Sequence, residues 1–424
     1  MTTIFTPLTL PNGAVIPNRI AKAATQENLA DNDQNPSKEL FQLYKAWSEG
    51  GSGLSISGHI MVDRRAVGGA GDVVLEDDSN LDTFKEWAKV GSVGGNHFWL
   101  QINHPGKQLF YNLGQPALAP SAIPLANASM FAVPQEITES QILEVIERFK
   151  TTSQLAERAG FHGVQIHAAH GYLLSQFLSP LSNKREDKWG GSRENRARLL
   201  FEVIKTVRSA VSPGFCVGVK INSADFQRGG FDNDDAQWVI EQMNSMSVDL
   251  VELSGGNLES PVIMGPDAAL SSDKESKAAS TIAREAYFLT FAEEISKIAT
   301  MPIMLTGGIT RRAVMDKVVE SGVAMIGMAT ALILKPDLPN ELKKDLDPNP
   351  RMPSINWGQK SLTALVKISY LNHYLRVVAE NQEKSSSVWP SWALAKQLWG
   401  LNSRAKVYRK HMEGYTYKGP VTTQ

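Results

Sequence analysis

Two imidazoles and a phenol are gathered in the stretch His167-Ala168-Ala169-His170-Gly171-Tyr172. Neutral imidazoles three positions apart can converge on one oxygen, and each preorganised donor to a developing oxyanion is worth about 3 kcal/mol. A phenol whose ordinary pKa is about 10 is an acid at neutral pH and can protonate a carbanion. Two other readings of the histidines stay open, metal ligation and hydrogen-bonded core residues. An H-x-x-H spacing with no further Cys, Asp or Glu in the motif, and outside an HExxH frame, speaks against a metal.

These residues follow Gly163-Val164-Gln165-Ile166, an apolar run that reads as a buried strand, so they emerge just past a strand end. A polar loop follows, then Trp189-Gly190-Gly191-Ser192-Arg193-Glu194-Asn195-Arg196 opens a helix, with Ser192 as cap and Glu194 in the first turn. Strand, polar loop, helix is where catalytic groups sit in a barrel of alternating strands and helices.

The rest of the chain supplies such a barrel. Pro7–Ile16, with Pro-Asn-Gly, reads as a β-hairpin able to plug its bottom. Eight strands are expected in Asn18–Ala24, Leu54–Gly58, Phe98–His104, Gly163–Ile166, Cys216–Asn222, Leu250–Ser254, Pro302–Thr306 and Ala324–Gly327, each followed by helical periodicity. A helix is expected from about Arg284 to Thr300 after the Gly255-Gly256 turn. The strand runs are apolar throughout, as parallel strands covered on both faces should be. The expectation is an α/β fold, a (β/α)8 TIM barrel with an N-terminal β-hairpin cap and a C-terminal helical extension. The barrel would occupy residues 1–346. Residues 347–424 would form an extension packed on it, with a lid or subunit contact as the alternative, and the role of Trp389, Trp392 and Trp399 stays open. The glycine-rich loop Arg64–Asp72 reads as mobile, and Leu109–Pro134 as a functional excursion.

Polar and small residues at strand ends suggest what the barrel holds. Ala23 and Ala24 close strand one with little bulk, letting something flat approach the backbone. Gln101 on strand three and Lys220 on strand five offer an amide and a cation, which suit a heterocycle with a carbonyl–imide edge such as a flavin. The alternative for Lys220 is a structural ion pair. Gly307-Gly308 and Gly327-Met328 form turns after strands seven and eight, where barrels commonly bind phosphate; tight turns alone are the other explanation.

Composition narrows the classes. Of 424 residues, 42% are hydrophobic and 21% charged, and the formal net charge is -1, so no global field favours nucleic acid or an anionic membrane. The single cysteine, Cys216, excludes disulfides within the chain and cysteine-bound iron–sulfur clusters, and reads as core filling. The N-terminus shows no signal-peptide pattern and no apolar run is long enough to span a bilayer, so a cytoplasmic protein acting on small molecules is expected; a homo-oligomer is left open.

With those residues in place, the sequence resembles the Old Yellow Enzyme family of FMN-dependent ene-reductases. The resemblance is carried by Asn18-Arg19-Ile20, Gln101, the run from His167 through Pro180, Trp189 through Arg198, Gly307-Gly308 and Pro336-Asp337-Leu338, and extends from about Ile4 to Leu342. It implies FMN at the barrel mouth, contacted by Ala23, Ala24, Gln26, Gly58, Gln101, Lys220, Gly307, Gly308, Gly327 and Met328, and reduced by NADPH or NADH. It implies that His167 and His170 hold the activating oxygen of an α,β-unsaturated carbonyl or nitro compound while Tyr172 protonates the alkene. Gln26 stands where the family usually has Thr or Cys near flavin O4, Lys220 where many members have Arg, and Thr330 where many have a phosphate-binding Arg. Other readings are a barrel acting on a phosphorylated substrate, with Lys220 as base or Schiff-base lysine, and a flavin-binding protein without turnover.

Overall fold

A computed structural model describes residues 3–125, 128–255, 289–353, 355, 357, 360–380 and 388–415. Gly256 and the helix start expected near Arg284 lie outside the described residues. Eight strands form the barrel: β1 (Ile20–Lys22), β2 (Leu54–Met61), β3 (His97–Asn103), β4 (Gly163–Ala168), β5 (Cys216–Asn222), β6 (Leu250–Ser254), β7 (Ile303–Thr306) and β8 (Met325–Met328). All pair in parallel, and β1 bonds to both β8 and β2, which closes the ring. Closure removes the sheet edges and leaves an outer face for helices and an inner face for a packed interior, so neither face meets bulk water.

The helices lie where periodicity and caps place them. Lys38–Glu49 is capped by Ser37, and Ser192 caps Arg193–Ala210 by accepting from the Asn195 N–H. Thr138 and Gln141 form a reciprocal capping box at the start of Glu139–Arg158. Their apolar stripes and the outward strand residues make one continuous core.

The interior is layered. At the bottom, Leu8, Leu10 and Ile16 of the hairpin pack with Trp99, Cys216, Leu250, Met304 and Met325. Gly163 and Gly218 make room for Trp99: a Cβ at either would come within 3.0 and 2.9 Å of its ring. Cys216 is buried here, its thiol pushed up to about 12 chiefly by burial. The apolar plug leaves the polar inward positions to the opposite, C-terminal end of the strands.

Several strand ends differ from expectation, and two of them matter. β4 continues to Ala168, so His167 lies within the strand, in register with Lys220, rather than beyond it. β2 runs past Gly58 to Met61 and so includes His59. The β2–β3 register shifts between Ile56 and His59; the Gln101 N–H donates to Ser57 Oγ (2.8 Å), and the Gly58 N–H turns to Glu27 Oε1 (3.2 Å) and Tyr44 OH (3.0 Å). Such a bulge bends a strand and re-aims its side chains.

Helices Lys360–Ala379 and Pro390–Met412 form the C-terminal extension. Ala405 and Tyr408 join Met61, Val67, Val74, Leu109 and Leu113 in an apolar cluster, and the Tyr408 hydroxyl donates to the Arg64 carbonyl (2.8 Å). The second helix therefore lies on both loops that leave β2 and β3. The glycine-rich loop, read from sequence as mobile, is held down: Ala66, Val67 and Asp72 are buried. Trp389, Trp392 and Trp399 stay exposed.

Candidate functional site

The register of the strands brings the polar residues together. His59 pairs with Gln101 and Gln101 with Gln165 across β2, β3 and β4, while His167 pairs with Lys220 and Lys220 with Glu252 across β4, β5 and β6. In-register neighbours on parallel strands point to the same face. The result is a continuous chain of contacts: Gln101 Nε2 donates to Gln165 Oε1 (2.7 Å), Gln165 Nε2 donates to Glu252 Oε2 (2.7 Å), and Glu252 Oε1 lies 2.8 Å from Lys220 Nζ. The ion pair weighed for Lys220 forms, and its partner was not foreseen.

His167 has a defined tautomer. Its Nδ1 accepts the Ala169 N–H at 3.2 Å, so the neutral ring carries its proton on Nε2. Burial holds its pKa well below the ordinary value, and His170, His59 and Lys220 push the same way. His170 has φ +60° and Gly171 φ +75°, a left-handed pair that turns the chain sharply off β4. A non-glycine residue there costs on the order of 1 kcal/mol and is kept only where its surroundings fix it. Those surroundings are the Asn222 side-chain oxygen, which accepts the His170 N–H (3.2 Å), Gln108, which donates to its carbonyl (2.7 Å), and Ser254 Oγ, 2.8 Å from Nε2.

Tyr172 completes the group. Its ring centroid lies 4.9 Å from His167 and 4.8 Å from His59, and His167 stands 5.1 Å from His170. Burial raises the phenol pKa above its usual value and the Asp72 carboxylate adds to the rise, so Tyr172 holds its proton at neutral pH. His59, lowered to about 3 by burial and then by Lys220, is neutral too. The mouth thus presents neutral imidazoles and a neutral phenol.

The opposite wall is made of small residues. The Ala23 N–H bonds the Met328 carbonyl (3.0 Å). A Cβ on Gly327 would sit 1.9 Å from Thr306 Oγ1 and 3.5 Å from the Ala23 methyl, so only glycine allows these strands to approach so closely. Thr306 Oγ1 is buried with no hydrogen-bond partner among the described residues. Gly307 (φ +142°) and Gly308 (φ +66°) are exposed, with open space around the Cβ position of Gly307. The Met328 side chain packs in the barrel–helix layer, and its carbonyl is taken by the Ala23 N–H. Ala24 abuts the lower interior cluster. Gln26 turns its amide to Asp72 (2.7 Å), and Gly58 gives its N–H to Glu27 and Tyr44. Thr330 begins the short helix Thr330–Leu334.

A flavin mononucleotide suits this chemistry. The orphaned Thr306 hydroxyl and the exposed Gly307–Gly308 backbone offer donors to phosphate, and Lys220, paired with Glu252, supplies a cation. Among the described residues no group of three His, Cys, Asp or Glu side chains is placed to hold a metal ion, and no helix is long and apolar enough to cross a membrane.

His59, Asp72, Gln165, Glu252 and Ser254 were missed from sequence. Glu252 carried the same signal as Lys220, a charge inside an apolar strand. His59 was hidden by ending β2 at Gly58.

Comparison with known proteins gives the family. The model of the NADH:flavin oxidoreductase / NADH oxidase family matches residues 3–349. An NADH-dependent flavin oxidoreductase of Hypocrea jecorina is 36% identical over 390 residues, covering 85% of this chain and 96% of its own. One from Talaromyces variabilis is 35% identical over 357 residues, 78% of this chain and 84% of its own. Among solved structures, an old yellow enzyme homologue from Zymomonas mobilis superposes with a TM-score of 0.67 at 21% identity, over 81% of this chain and 93% of its own, a likeness of fold. The chain belongs to the NADH:flavin oxidoreductase family, the Old Yellow Enzyme group, and is an NAD(P)H-dependent flavin oxidoreductase.

Proposed function

We propose that this chain is an FMN-dependent ene-reductase that takes electrons from NADH or NADPH and reduces the C=C bond of small alkenes activated by a carbonyl or nitro group. The observation that carries this reading is the meeting of a His167 Nε2–H donor, the fixed His170 ring and a protonated Tyr172 at one barrel mouth. When bound, reduced FMN supplies the hydride to the β-carbon. His167 and His170 bind the activating oxygen and stabilise the charge that gathers on it. Tyr172 gives its proton to the α-carbon, so the alkene gains one hydride and one proton. Lys220, held by Glu252, would present a fixed cation to the flavin and is poorly placed to act as a Schiff-base nucleophile. Residues 1–346 act as the catalytic barrel and residues 347–424 as an extension over its loops.

The test separates the two half-reactions. Tyr172→Phe should leave flavin bleaching by anaerobic NADPH unchanged while slowing reoxidation by an activated alkene by about a hundredfold or more. Equal rates in both half-reactions would remove Tyr172 as proton donor. A purified protein without flavin absorbance, even after incubation with FMN, would sink the ene-reductase reading itself.

A further inference from the structure

The two C-terminal helices enclose a cavity of about 150 Å³ against the segment that leaves β1. Arg376 from the first helix and Lys396 and Arg404 from the second line it, with Asn28, Gln397 and Trp399. None of the described lining residues is acidic, and no described carboxylate lies within ion-pair distance of these three cations. We propose that this cavity is a phosphate-binding site, with Arg376, Lys396 and Arg404 as its donors.

Among the described residues no carboxylate at the cavity offsets these charges. Burial lowers the pKa of both Arg376 and Arg404, and at Arg404 the charge of Arg376 lowers it further. The groups that oppose this, Glu39 and Glu380 at Arg376 and Glu39 and Asp72 at Arg404, act from outside the cavity. Lys396 stacks on Trp392 (5.3 Å) and pairs with no acid among the described residues. Arg404 is anchored: its Nη1 donates to the carbonyls of Asn28 (2.8 Å) and Ala30 (3.3 Å), which fixes the guanidinium plane and leaves its other N–H groups for a ligand. Planar guanidiniums bind phosphate through paired hydrogen bonds, and several converging cations favour a dianion over a carboxylate. The volume admits a phosphate group. Trp399 lines the cavity and is exposed.

The site also borders the mouth. A Cβ on Gly71 would lie 2.5 Å from Arg404 Nη1, and the next residue, Asp72, holds Gln26 and acts electrostatically on Tyr172. The phosphate could belong to the nicotinamide dinucleotide reductant or to a separate ligand.

Calorimetric titration of the purified holoenzyme with 2′,5′-ADP and with inorganic phosphate tests the site without relying on turnover, so it can fail while the ene-reductase reading stands, and the reverse. Binding of either probe that weakens roughly tenfold or more in Arg376→Gln, and is partly kept in Arg376→Lys, is the expected result. If Arg376→Gln also raises KM for NADPH and not for NADH, the phosphate is the 2′-phosphate of the reductant. If both KM values stay while probe binding falls, the ligand is a separate phosphate compound. Failure of the wild type to bind either probe at millimolar concentration, or equal binding by Arg376→Gln and Lys396→Gln, would overturn the proposal.

Discussion

Lys220 on β5 and Glu252 on β6 are register partners whose Nζ and Oε1 stand 2.8 Å apart, with 3% and 0% of their side chains exposed. Neither charge has water to fall back on, so removing one strands the other. Glu252→Met or Lys220→Met alone should each destabilise the protein by about 3 kcal/mol, while the two substitutions together should cost less than the sum. Urea unfolding of the four proteins measures the coupling. Strict additivity would mean that the two charges are stabilised independently.

His170 depends on Ser254 for its orientation. Ser254→Ala leaves Nε2 without its 2.8 Å partner and frees the ring to turn, while the backbone of His170 stays held by Asn222 and Gln108. Binding of a phenol, a stand-in for the substrate oxygen, should weaken by about 1 kcal/mol in Ser254→Ala. His167→Ala with His170→Ala should abolish the long-wavelength band that such phenols form with oxidised flavin. Phenol binding that survives the double substitution would place the oxygen site elsewhere.

The buried histidines make the fold acid-sensitive. His59 (about 3), His167 and His170 all titrate below their unfolded value of 6.5. Below pH 6.5 the unfolded chain therefore binds protons that the folded chain refuses, and stability falls as the pH drops. Each group adds a slope approaching about 1.4 kcal/mol per pH unit between the two pKa values. The urea midpoint should drop clearly between pH 7.5 and pH 5.5, and His59→Gln should flatten that dependence. A midpoint that is the same at both pH values would mean that these rings are charged in the native state.

How much of this was legible in sequence follows from which interactions are local. Ser37, Thr138 and Ser192 cap helices through contacts three residues away, and those helices were read to within a few residues. Strands β5 and β6 were read to their ends because apolar runs in a closed barrel are bounded by polar turns. The grouping of His167, His170 and Tyr172 was visible in their types and spacing. The tautomer of His167, the Ser254 contact and the Gln101–Gln165–Glu252–Lys220 chain were not, because they depend on register between strands far apart in sequence. The Arg64–Asp72 loop was misread for a similar reason: its glycines suggested motion, but they admit Asn28 and Arg404, and the latter comes from the far end of the chain.

Asp72 gives that loop a function of its own. Its carboxylate accepts from Gln26 Nε2 at 2.7 Å, and burial, opposed first by that hydrogen bond, raises its pKa to about 7. A carboxyl whose folded pKa lies above its unfolded value of 3.8 binds more protons when folded. Stability is therefore lost as the pH rises from about 4 to 7 and is level above that. Asp72→Asn keeps an oxygen for Gln26 and removes the charge, so it should raise Tm at pH 8 more than at pH 5. The same substitution removes a negative charge that raises the Tyr172 phenol. It should leave alkene reduction active and erase an inflection near pH 7 in the reoxidation rate. An equal gain in Tm at both pH values, with the inflection kept, would show that another group titrates there.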